Sequence, residues 1–466
     1  MGKTFIDPDK IEKLIEENKN PDKVQVREIL DHAAEMKGIE PEQVAALMGV
    51  EDQEVWDEIF ALARKIKDTL YGNRIVLFAP LYVSNYCAND CLYCGFRCSN
   101  TDATRISLSG EKLAREVLAL ENVGHKRLLM VYGEHPKWGI DYILDTIETA
   151  YQTRTEDGHG EIRRININAA PMDVDDYKKI KDVGIGTYQV FQETYHPGRY
   201  SEVHPKNTIK GDYDWRLYAL HRAQEAGLDD VAIGALFGLY DWKFEILGLL
   251  YHALDMEKHF NVGPHTVSFP RLEPALNSPI TTDSPYMVDN QDFRKLVAII
   301  RLMVPYTGMI LTAREKPEYR RDIINLGCSQ IDAGTKIGIG SYSESTRYQE
   351  LQKQQFTIYD TRSLDEVVRE LVQMGFIPSF CTGCYRSSRT GETFMGITKK
   401  GDIHHMCHPN AILTLKEFLL DYASEKTKRA GMKLIEKELD KENGKMREFL
   451  KEKLEKIDKG KRDLYC

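Results

Sequence analysis

The chain of 466 residues predicts an α/β fold: a closed (β/α)8 barrel of the TIM type, with a helical extension before it and a helical domain after it. Three observations predict it. Eight short apolar runs of β type alternate with amphipathic helical runs between Asn73 and Gly375. The residues before them show helical periodicity alone, and those after them pass from a cysteine- and histidine-bearing segment into charged helices. An open doubly wound sheet is the competing arrangement for alternating units, but eight successive βα units with nearly every strand short and apolar favour closure.

From Asp7 to about Leu70, apolar residues recur at helical spacing in KIEKLIEE, VREILDHAAEM and VWDEIFALARKIKDTL, so residues 1–72 read as the helical extension. The strands follow as IVLFAPLYV, RLLMVYG, IRRININ, GTYQVFQ, DVAIGALFG, HTVSFP, MILTA and SQIDAG. Between them lie helical runs such as LAREVLALENV, YILDTIETAYQ, DYKKIKDVG, WRLYALHRAQEAG, KFEILGLLYHALDMEKH, DFRKLVAIIRLM and YRRDIINLG. Ser363 and Glu366 have the spacing of a capping box before VVRELVQMG, and residues 73–375 make up the barrel. Residues 376–466 carry the Cys/His segment and then charged helices from Thr414 to about Asp463.

Composition excludes several function classes. A chain that is 42% hydrophobic and 29% charged can bury one large core. No run approaches the roughly 20 apolar residues of a membrane span, and MGKTFIDPDKIEKL lacks the order of a secretory signal. A cytoplasmic location with no membrane partner is expected. The net charge of −9 argues against a nucleic-acid partner, because phosphates are held mainly by Lys and Arg. Clustered thiols in a chain of this length point to metal binding or catalysis rather than a disulfide framework.

The stretch CANDCLYCGFRCSN, Cys87 to Asn100, follows the first strand, at the end where such barrels keep their chemistry. Cys87, Cys91 and Cys94 have the spacing C-x3-C-x2-C, and three thiolates can hold three irons of a cubane 4Fe-4S cluster while the fourth stays open to a small ligand. A structural zinc knuckle is the alternative, but zinc takes four ligands in a closed site. Cys98 lies outside the tight motif and reads as a loop thiol.

With Tyr93 before its last cysteine, this motif resembles the signature of the radical S-adenosylmethionine enzymes. The resemblance implies that Cys87, Cys91 and Cys94 carry the catalytic cluster, and that its open iron chelates S-adenosylmethionine. Electron transfer then splits the sulfonium to a 5′-deoxyadenosyl radical, which a deep barrel must shield. Tyr132-Gly133-Glu134 stands where that family has Gly-Gly-Glu; the first glycine is missing, and Gly133 and Glu134 are kept. Glu134 would accept from the methionine amino group, and Glu193, after the fourth strand, would face the ribose or the substrate.

Within that family, FQETY, VSFPRLEPA and TAREKPEYRRDIINLGCSQIDAG resemble the lyases that cleave tyrosine. Arg271 and Arg314 follow the sixth and seventh strands, where a guanidinium could grip an amino acid carboxylate in a bidentate fork; each alone also suits an ordinary ion pair. Farther on, Cys381, Cys384 and Cys407 form C-x2-C-x22-C, which fits a second open cluster, or a zinc site completed by His404, His405 or His408. The run CYRSSRTGETFM resembles the second-cluster domain of the tyrosine lyases that mature FeFe-hydrogenase. The thiamine-pathway tyrosine lyase, a 2-iminoacetate synthase, typically ends soon after its barrel. A non-catalytic iron–sulfur or zinc scaffold would need only the cysteines.

The resemblance implies that L-tyrosine is cleaved to p-cresol and dehydroglycine, and that dehydroglycine becomes carbon monoxide and cyanide on iron at the second 4Fe-4S cluster. It also implies a fifth iron there, bridged by free cysteine and held by His265 at the start of the sixth strand. From the residues alone, a lone strand histidine reads as a satisfied core group. A reductant or electron-donor protein and hydrogenase-maturation partners are expected with it. Cys328 reads as a buried strand residue and Cys466 as a frayed terminus.

Overall fold

The computed structural model describes residues 4–344, 349–387 and 389–466, apart from the side chain of His404. Eight parallel strands close a barrel: β1 (Arg74–Ser84), β2 (Arg127–Tyr132), β3 (Arg164–Asn168), β4 (Tyr188–Gln189), β5 (Val231–Gly234), β6 (Thr266–Ser268), β7 (Gly308–Leu311) and β8 (Gln330–Asp332). The sheet closes because β1 pairs with both β8 and β2. All eleven residues of β1 are buried, the pattern of a strand covered on both faces. Its middle, Val76–Phe78, pairs with β8, and its end, Ala79–Ser84, pairs with β2.

A ninth strand, β9 (Ile377–Ser379), was not among the expected eight. It pairs in parallel with Arg74–Val76, at the very start of β1. Three residues with a proline at the centre give no alternation to read, so their strand identity comes from the partner.

The expected helices form around this sheet. Asp7, Asp22 and Asp52 cap the helices Pro8–Glu17, Lys23–Ala33 and Gln53–Tyr71, each carboxylate accepting from backbone N–H groups of the first turn. Helix Gln53–Tyr71 packs its buried face, which includes Trp56, Ile59 and Ala63, on helix Asn290–Met303. The capping box at Ser363 and Glu366 is formed in both directions. WRLYALHRAQEAG is broken into Tyr213–Leu217 and Ala219–Glu225.

The last part differs from expectation in where its helices start. Helices Gly383–Arg386 and Gly391–Lys399 precede the charged ones, and the helix expected from Thr414 instead begins at Ile403, runs to Asp421, and includes Cys407. Pro409 inside it removes one N–H donor, which is why HHMCHP does not read as helix. Packing against β9 and the helices Glu425–Lys441 and Gly444–Asp458 overrides that local penalty. Among the described residues, no helix is long and apolar enough to cross a membrane.

Candidate functional site

Two cavities occupy opposite ends of the barrel. The larger, about 190 Å³, opens at the C-terminal ends of the strands and is lined by Cys87, Cys91, Cys94, Glu134, Glu193 and Arg314 among others. The smaller, about 60 Å³, lies at the N-terminal ends and is lined by Cys381, Cys384, Cys407 and His265.

The upper thiols follow directly from β1. The β1–β2 register shifts between Tyr82 and Ser84, and the chain then leaves the sheet into the cysteine loop. Arg105 ties that loop together, donating to the carbonyls of Asn85, Phe96, Arg97 and Asn100 at 2.6 to 3.3 Å. Gln355 Nε2 lies 3.5 Å from Cys94 Sγ. Burial pushes Cys91 up to about 12 and raises Cys87 and Cys94 as well; charge on neighbouring thiols adds to the rise at Cys91 and Cys87, and the Glu193 carboxylate adds to it at Cys94. Free thiolates are therefore unfavourable in this pocket, whereas a cationic iron–sulfur core relieves both desolvation and repulsion. No disulfide is formed by any of the nine cysteines.

Glu134 faces the same space. Its Oε2 accepts from Asn89 Nδ2 at 2.5 Å, and its backbone oxygen accepts from Ala88 N–H at 2.7 Å. Gly133 is required by the close approach of the cysteine loop, since a methyl group there would stand 2.3 Å from the Tyr86 carbonyl oxygen. Tyr93 packs edge-on against His204, its hydroxyl 2.8 Å from His204 Nε2.

Glu193 has a left-handed backbone, φ +71°, unusual for a residue with a side chain. Lys210 Nζ lies 2.7 Å from its Oε1 and Arg216 Nη2 3.6 Å. Burial would raise the Glu193 pKa, but these cations outweigh it and hold the carboxyl below its usual range. Behind it, Glu245 accepts from Thr194 Oγ1 at 2.5 Å and from Tyr195 N–H at 2.8 Å.

The two expected carboxylate-gripping arginines separate. Arg314 lines the cavity, its guanidinium 3.3 Å from the Phe356 ring centroid. Arg271 does not line it. Its guanidinium is already held by the Glu315 carboxylate at 2.6 and 2.9 Å and by Asn290 Oδ1 at 2.8 Å, so its fork is satisfied within the protein. Residues that sequence reasoning missed, Lys210, Arg216, Glu273 and Gln355, complete the lining. Burial pushes the Glu273 carboxyl up to about 7, with Glu315 adding to it.

At the lower end, Cys381 follows β9, Cys384 lies on the short helix Gly383–Arg386, and Cys407 lies on helix Ile403–Asp421. Arg74, Arg127 and Arg389 line the same cavity, and Arg127 Nη1 donates to the Cys381 carbonyl at 2.8 Å. The Cys384 thiol and these guanidiniums pull the Cys407 thiol below its usual pKa. Thiols in a cationic pocket suit a cluster, whose core and cysteine ligands together carry negative charge. His265 Nδ1 is buried without a hydrogen bond, 3.4 Å from Asp230 Oδ1, and burial holds the ring neutral. It is therefore a lone-pair donor available to a metal. His405 and His408 lie on the same helix as Cys407 but do not line this cavity, and the His404 side chain lies outside the described residues.

The other thiols are peripheral. Cys98 is exposed, and Cys328 is buried two residues before β8. Cys466 is not frayed: its N–H donates to Asn410 Oδ1 at 2.7 Å and its carbonyl accepts from Arg389 Nη2 at 3.0 Å.

Comparison with known proteins agrees with this geometry. Residues 81–247 match the Radical SAM superfamily model, and residues 268–377 match the Biotin and Thiamin Synthesis associated domain. The chain is 31% identical to the 2-iminoacetate synthase of Salmonella typhimurium, over 72% of this chain and 85% of that one. Against the Escherichia coli 2-iminoacetate synthase, identity is also 31%, over 69% and 81%. A crystal structure of HydG, described as a maturase of the [FeFe]-hydrogenase, superposes with a TM-score of 0.95 at 51% identity, covering 99% of this chain and all of that one. HydG from Carboxydothermus hydrogenoformans superposes with a TM-score of 0.83 at 37% identity, over 96% and 97%. With thiols of the radical enzymes at one end of its barrel and a second thiol cavity at the other, the chain belongs to the radical S-adenosylmethionine superfamily, among its HydG-type FeFe-hydrogenase maturases.

Proposed function

We propose that this lyase cleaves L-tyrosine to p-cresol and dehydroglycine in the upper cavity and converts dehydroglycine to carbon monoxide and cyanide on iron at the lower one. The observation that carries the reading is the pair of thiol-lined cavities at the two ends of one barrel. When bound, a reduced 4Fe-4S cluster at Cys87, Cys91 and Cys94 supplies the electron that splits S-adenosylmethionine and so yields the hydrogen-abstracting radical.

The chain's own residues then bind and orient. Glu134, held by Asn89, accepts from the methionine amino group, and Glu193, fixed by Lys210 and Arg216, accepts from the ribose or the substrate. Arg314, unlike Arg271, is left to hold the tyrosine carboxylate. The aromatic and aliphatic wall, including Phe78, Phe96, Ile310 and Phe356, keeps water from the reacting atoms.

The linings of the two ends come close to one another. On β1, Val76 lines the lower cavity and Phe78 the upper; on β7 the pair is Gly308 and Ile310, and on β8 Gln330 and Asp332. One two-residue strand step, about 6.6 Å, separates the two linings. Dehydroglycine hydrolyses in water, so an internal passage protects it. Cys381, Cys384 and Cys407 would hold the second cluster, and His265 would offer its imidazole to a further iron there.

The 2-iminoacetate synthases share the barrel, but the lower thiols and arginines favour the longer reaction here. Anaerobic turnover with S-adenosylmethionine, dithionite and tyrosine tests the reading. Expected products are 5′-deoxyadenosine, p-cresol and carbon monoxide; p-cresol without carbon monoxide would leave only the first half.

A further inference from the structure

Three ligand-type side chains converge outside the barrel, away from both cavities. Helix Trp242–Phe260 carries Asp255 and His259 one turn apart, and helix Ala219–Glu225 presents His221 to them. His221 Nε2 lies 2.8 Å from Asp255 Oδ2, and His259 Nδ1 lies 3.4 Å from the same oxygen. All three ligand atoms fall within 4.8 Å of one another.

That spacing is close to what a metal needs. A tetrahedral centre with bonds of about 2.0 Å sets its ligand atoms about 3.3 Å apart; the two nitrogen–oxygen spacings bracket that value, and the two nitrogens lie within 4.8 Å of each other. The His221 and His259 rings meet at 69° with centroids 6.0 Å apart, converging rather than stacking. His221 is pinned by Phe5 on one side and by the parallel ring of His252, 5.7 Å away, on another. Two ligands are thus set in the protein, with side chains 8% and 13% exposed, while His259 at 52% leaves the point open to solvent.

We propose that His221, Asp255 and His259 bind a divalent transition metal, with water in the remaining positions. Two imidazoles and one carboxylate suit zinc or iron(II), and disfavour magnesium and calcium, which prefer all-oxygen shells. His259 Nδ1 also lies 2.8 Å from the Asp255 carbonyl oxygen, so metal binding replaces the proton shared there. The same final turns bear Glu257, whose carboxylate pairs with Lys399 of the C-terminal part, so the metal would stiffen the helix at that contact.

The test is zinc titration of tag-free, cluster-loaded protein by calorimetry, with zinc-edge X-ray absorption on the product. The inference predicts one added equivalent in a nitrogen–oxygen shell near 2.0 Å, with iron content unchanged, whether or not the lower cavity is active. His259→Ala, at an exposed position, should weaken binding at least tenfold, as should Asp255→Asn. Absence of a binding event, a sulfur shell near 2.3 Å, or wild-type affinity in both variants would overturn it.

Discussion

Gly133 shows how a single residue serves the upper site. Its missing side chain lets the Tyr86 carbonyl pass where a methyl carbon would stand 2.3 Å away, and Glu134 is placed by that contact. Gly133→Ala should raise the dissociation constant for S-adenosylmethionine tenfold or more, measured by equilibrium dialysis, while the cluster still assembles. Glu245 offers a test by pH. Burial pushes its carboxyl from 4.5 to about 8 against the pull of Thr194 and Tyr195. An acid whose pKa is raised on folding stabilises least when ionised: its contribution falls as pH rises from about 4.5 and levels off above 8. Glu245→Gln should therefore flatten the decline in thermal midpoint between pH 5 and 8, a difference on the order of a few kcal/mol. At this scale the sequence was legible where ligands are local. Cys87, Cys91 and Cys94 sit within one turn of loop, whereas Lys210, Arg216 and Gln355 reach the cavity only through tertiary folding and bear no spacing signal.

At the scale of elements, β9 joins the barrel to the lower site. It covers the start of β1, and Phe376 just before it lies under the Lys67 ammonium at 4.7 Å. Removing everything after Gly375 would unpair Arg74–Val76 and uncover the part of helix Gln53–Tyr71 that packs against helix Ile403–Asp421. That truncation should lower the thermal midpoint by 5 °C or more as well as abolish carbon monoxide formation, whereas Cys384→Ala should leave the midpoint within about 2 °C. The main strands and helices were readable because β and helical periods alternate cleanly. β9 and the first turns of helix Ile403–Asp421 were not, since a central proline masks each and packing decides their conformation.

For the whole molecule, the barrel carries two thiol-lined cavities at its opposite ends, with linings one strand step apart. The eight-unit count predicted closure, and the pairing of β1 with β8 and β2 achieves it. That the two thiol groups face opposite ends could not be read from spacing, because Cys381 is nearly 300 residues from Cys87 and its position depends on β9 pairing at the foot of β1. His265 is brought to the lower thiols by the same geometry, from the residue before β6. The most direct measurement is the ratio of carbon monoxide to p-cresol from Cys384→Ala protein, turned over anaerobically beside the wild type. Two separated sites predict p-cresol within about twofold of wild type and carbon monoxide reduced at least tenfold. A parallel fall of both products in a folded variant that retains its upper cluster would contradict the division of labour between the two ends of the barrel.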